Sequence, residues 1–128
     1  MKRALWAMIA MFLAPAAQAQ DRPHWVASWA TALMVPTGDN IAADGDLTDA
    51  TLRQIVRVTL GGKQLRVRLS NVFGNAPLTI GAASIARSAN NASARIDAAS
   101  LKRLTFNGET SVVIPAGAEY WSDTVATP

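Results

Sequence analysis

The sequence contains no cysteine and only one histidine, His24, among its 128 residues. Without cysteine there are no disulfides and no thiolate zinc site, so a hydrophobic core must hold the fold together. A catalytic serine needs a base and a group that orients the base, and no serine lies in a G-x-S-x-G pattern. We interpret His24 as solvated or packed at an edge. The sequence predicts no catalytic residue.

Charge of either sign is scarce, and much of the excess positive charge lies at the very start of the chain. The formal net charge is +3, and removal of Lys2 and Arg3 would leave +1. So small an excess does not indicate a nucleic acid or an anionic membrane as a partner.

The first 19 residues have the order typical of a secretory signal peptide. This order is a positive start at residues 1–3, an apolar run at residues 4–13 and a small-residue pattern at residues 17–19. A membrane anchor is the alternative, but a span needs about 20 apolar residues and Pro15 interrupts the run. We predict cleavage between Ala19 and Gln20, a secreted or periplasmic location and one domain over residues 20–128, with no membrane span after cleavage.

Helical periodicity is absent after the signal, and two alternating runs indicate strands instead. Residues 51–60 and 63–70 alternate apolar and polar side chains and are joined by Gly61-Gly62. Since both glycines tolerate positive φ, the pattern predicts a hairpin with a two-residue turn. In that register Val58 faces Leu65, and the apolar residues of both runs share one face.

Further short apolar runs separated by turn residues predict more strands. The runs are residues 78–87, 101–106, 111–114 and 119–125. The turns are Asn75–Pro77, Asn107–Gly108 and Pro115–Gly117, and residues 88–100 read as a surface loop. We therefore predict an all-β fold, an antiparallel β-sandwich or jelly-roll-like domain, and we expect it to continue past Pro128.

Acidic residues cluster where the chain is rich in glycine and proline. The cluster consists of Asp39, Asp44, Asp46 and Asp49. The D-x-D-x-x-D spacing of Asp44, Asp46 and Asp49 misses the calcium loop of an EF-hand, and no closing glutamate follows. We interpret the segment as a solvated loop and predict neither a metal nor another cofactor.

Four arginines would share one face of the predicted hairpin: Arg53, Arg57, Arg66 and Arg68. Arg57 would lie opposite Arg66, and like charges in that position destabilise a sheet unless something neutralises them. An anion-binding patch is one interpretation. We favour the other, in which carboxylates from another strand or domain pair with these arginines.

Exposed aromatic rings would support a different function, the binding of carbohydrate. The candidates are Trp25, Trp29, Tyr120 and Trp121. Aromatic residues near strand ends are more often anchors of a core or an interface. A stand-alone secreted carbohydrate-binding module is therefore kept as the alternative function.

A series of ordered motifs resembles a known exported family. The motifs are Trp25-x-x-x-Trp29-Ala-Thr-Ala, Thr51-Leu-Arg-Gln-Ile-Val, Leu65-Arg-Val-Arg-Leu-Ser-Asn-x-Phe-Gly74, Pro77-Leu-Thr-Ile-Gly-Ala, Leu104-Thr-Phe, Ile114-Pro-Ala-Gly-Ala-Glu and Ser122-Asp123. Together they resemble the N-terminal β-rich region of bacterial SGNH (GDSL-type) esterases. The resemblance covers nearly all of the chain from Trp25 to Val125.

The resemblance implies a partner domain that carries the chemistry. In that family the serine lies in a Gly-Asp-Ser block of a following hydrolase domain, and an Asp-x-x-His block completes the triad. The Gly-Asp-Ser block does not occur here, because Gly38-Asp39-Asn40 and Gly45-Asp46-Leu47 lack the serine. The expected function is therefore that of a non-catalytic domain of an exported ester hydrolase, inactive by itself.

Overall fold

A computed structural model describes residues 24–43, 47–90 and 93–128. The predicted signal peptide, its cleavage site, Asp44 and Asp46 lie outside the described residues. In the described ranges, no helix is long and apolar enough to cross a membrane.

The described residues form eight short strands. They are β1 (Gln64–Leu65), β2 (Arg68–Ser70), β3 (Leu78–Ile80), β4 (Ala83–Ile85), β5 (Lys102–Leu104), β6 (Val112–Ile114), β7 (Glu119–Trp121) and β8 (Val125–Ala126). The helical elements of these ranges are two 3₁₀ turns, Gly38–Asn40 and Ala98–Ser100. The prediction of an all-β fold is confirmed.

The strands pair in a nested, antiparallel order. β4 pairs with β5, β3 with β6, β2 with β7 and β1 with β8. This is the order of one long hairpin doubled back on itself, as in a jelly roll. Across the described ranges the result is four two-stranded ladders rather than two closed sheets.

The predicted hairpin across Gly61-Gly62 is wrong. Residues 51–60 form no strand, while β1 and β2 pair with β8 and β7. A two-residue hairpin turn of type I′ needs positive φ at both central positions, and neither Gly61 nor Gly62 has it. The predicted pairings of Val58 with Leu65 and of Arg57 with Arg66 therefore do not form.

Ser28 anchors the C-terminal end of residues 51–60 through hydrogen bonds. Its hydroxyl accepts hydrogen bonds from the backbone N–H groups of Thr59 (3.1 Å) and Leu60 (3.0 Å) and donates to the Leu60 carbonyl (3.1 Å). The Thr59 hydroxyl in turn donates to the Ser28 carbonyl (3.1 Å). These bonds join the segment to the start of the described chain.

The later predictions from turn chemistry agree better with the structure. Asn107 and Gly108 both have positive φ, and Gly117 has a φ of 77°, as turns at these places require. The predicted strand 78–87 is broken at Gly81–Ala82 into β3 and β4, and the run 119–125 contributes to both β7 and β8. The short loop between β3 and β4 lets each strand pair with a different partner.

Leu104, Phe106 and Ile114 are the buried apolar residues of the described chain. Beside them lies Asn71, which is also buried. Its amide nitrogen donates to the carbonyls of Ala76 (2.9 Å), Ile114 (3.0 Å) and Pro115 (3.1 Å). The side chain thereby satisfies backbone acceptors that would otherwise be costly to bury.

Gly74 packs against this asparagine so closely that no side chain fits. A Cβ atom at Gly74 would lie 1.8 Å from Oδ1 of Asn71. The backbone N–H of Gly74 also donates to the Asn71 carbonyl (3.0 Å). The glycine is therefore needed here for close approach of the backbone.

Asp123 fixes the Asn107–Gly108 turn. Its carboxylate accepts hydrogen bonds from the Thr105 hydroxyl (2.7 Å) and from the backbone N–H groups of Gly108 (2.7 Å) and Asn107 (3.0 Å). The Thr105 bond, then the Gly108 bond and more weakly the Asn107 bond, lower the pKa of this carboxyl below its ordinary value, while desolvation opposes them.

Candidate functional site

Arg66 lies between two tryptophan rings that are far apart in the sequence. Its guanidinium carbon is 4.6 Å from the centroid of the Trp25 ring and 4.2 Å from that of Trp121. Arg66 lies in the link between β1 and β2, and Trp121 ends β7, so the β2–β7 pairing brings these two side chains together. A planar guanidinium stacks well on aromatic faces, and both rings attract its charge.

The neighbouring Arg68 has a different environment. Its guanidinium forms an ion pair with the Glu119 carboxylate at 3.1 Å, and its guanidinium carbon lies 5.3 Å from the Trp121 ring centroid. Arg66, in contrast, forms no ion pair within the described ranges, and its buried Nε has no hydrogen-bond partner. The positive charge of Arg66 therefore has no carboxylate beside it in this part of the chain.

A small open cleft adjoins this stack through Trp25. It is lined by His24, Trp25, Gly62, Lys63 and Gln64 and has a volume of about 190 Å³. Of the described residues, none forms an ion pair with Lys63. The residues that line the cleft thus include an aromatic one, a cationic one, a histidine and a glutamine.

The predicted face of four arginines is wrong, since it depended on the hairpin. Arg53 donates a hydrogen bond to the Ala94 carbonyl, while Arg66 and Arg68 contact Trp121. The expected pairing with a carboxylate is found for Arg68, whose partner Glu119 comes from β7. Arg57 has no such partner in the described residues.

The four aromatic candidates are all on the surface rather than in the core. Their exposed fractions lie between 37% and 48%. The structure brings Trp25 and Trp121 together around Arg66, and it does not include Trp29 or Tyr120 in that stack. Sequence patterns do not predict this stack, because no local pattern relates residues 25, 66 and 121.

Those of the remaining candidates that the structure describes do not assemble a catalytic or metal site. His24 is exposed and makes no side-chain hydrogen bond to a serine or carboxylate of the described chain. Asp49 is exposed, with a φ of 50°, and Asp39 lies in the 3₁₀ turn Gly38–Asn40. No group of three metal-ligating side chains occurs in the ranges that the structure describes.

The site is a cationic and aromatic surface. It consists of the stacked Arg66, its two tryptophans and the adjoining cleft. Comparison with models of known protein families gave no match, and comparison with curated proteins gave none either.

Proposed function

We propose that this chain is the non-catalytic N-terminal β domain of an exported ester hydrolase of the SGNH type, which acts on acyl or acetyl esters. The resemblance of its ordered motifs to that family motivates the proposal. One structural observation carries it: a segment with the alternation of a strand has no strand partner and exposes its apolar side chains.

Residues 52–60 form this exposed segment. Its large apolar residues, which are between 42% and 75% exposed, are Leu52, Ile55, Val56, Val58 and Leu60. Apolar residues exposed along one segment favour a surface that packs against another protein part. An accessory domain of a larger enzyme needs such a surface, whereas a free-standing module gains nothing from it.

In this proposal the chemistry belongs to the hydrolase domain. Its serine attacks the ester carbonyl, the alcohol leaves, and water releases the acyl group from the serine. The β domain packs against the hydrolase domain, steadies it and shapes the access of substrate. It supplies no member of the triad.

The first test is genetic and enzymatic. We expect the reading frame to continue past the codon for Pro128 into a Gly-Asp-Ser block and, later, an Asp-x-x-His block. The purified segment 20–128 should show no serine-dependent turnover of a simple aryl ester. A stop codon directly after Pro128, or such turnover by this segment, would contradict the proposal.

The second test concerns the exposed segment. Val58 is 61% exposed in the segment, and Val113 is 56% exposed on β6. Val58→Ser should weaken the binding of segment 20–128 to the separately expressed hydrolase domain, measured by calorimetry, because it removes apolar area from the contact. Val113→Ser serves as the matched control, and equal effects of both variants would argue against this surface.

The exposure of the aromatic residues favours a second function, the binding of carbohydrate. Trp29 and Trp121 are 46% and 48% exposed, so their rings are accessible to a ligand. A stand-alone module would be retained on insoluble glycans, and Trp29→Ala or Trp121→Ala would reduce that retention. Retention together with a stop codon after Pro128 would make this the better proposal.

A further inference from the structure

We propose that the cleft lined by His24, Trp25, Gly62, Lys63 and Gln64 binds a carboxylated sugar unit. The inference is drawn from the cleft and the adjoining arginine, and it does not depend on the ester hydrolase proposal. Lys63 and Arg66 form no ion pair in the described residues, which is true of every lysine and arginine there except Arg68. Lys63 differs from the other unpaired cations in lining a cleft beside an indole, and an anion is the ligand that its charge would attract there.

The lining of the cleft specifies more than a negative charge. Trp25 provides an apolar wall, and the amide of Gln64 can both donate and accept hydrogen bonds. A carboxylated sugar matches each of these groups, with C–H faces for the indole, hydroxyls for the amide and a carboxylate for Lys63. Inorganic anions have no apolar face and would leave the indole unused.

The aromatic wall is held in place before any ligand arrives. The guanidinium of Arg66 packs on the Trp25 ring and is itself packed on Trp121, which belongs to β7. A side chain that is already ordered loses less conformational entropy when a ligand binds. The stack therefore favours binding and also places the charge of Arg66 behind the indole.

The size of the cleft limits the ligand. Its volume of about 190 Å³ is below the range of ~300–1,000 Å³ found for pockets that enclose a whole drug-sized molecule. One ring of a sugar chain fits this size, with its neighbours extending into solvent. The small net charge of the chain argues against a nucleic acid as the ligand.

The test is an NMR titration of the purified chain with sodium D-glucuronate, with D-glucose and inorganic phosphate as comparison probes. We expect glucuronate to shift the backbone amide signals of residues 24–25 and 62–64 and to bind at least fivefold more tightly than either comparison probe. Added salt should weaken the binding, since part of it is electrostatic.

Matched variants test the assignment of the charge. Lys63→Gln should weaken glucuronate binding about three- to fivefold, the effect expected of one exposed ion pair. Lys102→Gln makes the same change of charge on the exposed strand β5, outside the cleft lining, and should leave the affinity unchanged. Trp25→Phe keeps a ring at the stack and should reduce affinity while the spectrum of the fold is preserved.

Several results would overturn the inference. Equal affinity for glucose and glucuronate would remove the role of the carboxylate, and phosphate binding as tight as glucuronate would reduce the cleft to a general anion site. Unchanged affinity in Lys63→Gln, or tighter binding of a DNA oligonucleotide, would also contradict it. None of these results bears on esterase activity or on the Val58→Ser experiment, so this inference and the proposed function fail separately.

Discussion

Asp123 gathers three hydrogen-bond donors from a turn that lies 15 to 18 residues earlier in the chain. The donors favour its ionised form, so the folded state holds this carboxyl at a lowered pKa. A group of this kind contributes stability above its ordinary pKa of 3.8, and that stability is lost as the pH falls through the lowered value.

We therefore expect Asp123→Asn to have a lower free energy of unfolding than the wild type near pH 6. The difference between the two should narrow toward pH 2, because the wild-type carboxyl takes up a proton. Urea unfolding measured across this pH range checks the prediction. Asp39→Asn is the control, since Asp39 is exposed and its carboxylate accepts no hydrogen bond within the described part of the chain. The prediction would be contradicted if the free energies of unfolding of Asp123→Asn and the wild type differed by the same amount at every pH.

Sequence patterns predicted the turn at this place but not its acceptor. The Asn107-Gly108 dipeptide indicates a turn because both residues tolerate positive φ. Which carboxylate meets the N–H groups of the turn depends on the pairing of distant strands, and no local pattern records that. For the same reason, sequence patterns do not predict the stack of Arg66 on Trp25 and Trp121.

At the scale of single elements, residues 51–60 and β2 have similar alternation and different structures. β2 forms a ladder with β7, whereas residues 51–60 form none. Alternation indicates that a segment can be a strand and which side chains share a face, but it does not select the partner. Adjacency in the sequence predicts the hairpin, whereas in the structure β1 and β2 pair with the distant strands β8 and β7.

A proline substitution tests the difference between β2 and residues 51–60, because proline has no N–H group to donate to a ladder. Leu69→Pro at the centre of β2 should abolish the cooperative unfolding transition or shift it by more than about 2 kcal/mol. Val56→Pro should change the free energy of unfolding by about 0.5 kcal/mol or less, as for most surface changes. Denaturant titration followed by circular dichroism measures both, and a large effect of Val56→Pro would show that residues 51–60 are paired in solution.

At the scale of the whole molecule, the described chain has a small core. Its buried apolar residues are Leu104, Phe106 and Ile114. A domain of this size has only modest stability to lose, and deletion of a buried leucine side chain costs about 2–5 kcal/mol. The fold class was predictable from alternation and turns, whereas the small size of the core was not, because alternation does not show which apolar faces lack a covering layer.

Leu104→Ala should therefore remove the cooperative thermal transition of the chain, measured by scanning calorimetry. Leu47→Ala is the matched control, because Leu47 is 70% exposed and its loss leaves no cavity. A sharp transition retained in Leu104→Ala would mean that most of the stability comes from contacts other than this core.

The nested pairing also has a consequence for the order in which the chain folds. Ile85 and Lys102, paired in the innermost ladder, are 17 positions apart, whereas Leu65 and Val125 in the outermost ladder are 60 apart. Closing a long loop costs more entropy than closing a short one, but each ladder formed shortens the loop that the next must close. Folding by zippering from β4–β5 outward avoids the large cost. The innermost ladder is then expected to form before β8 pairs with β1.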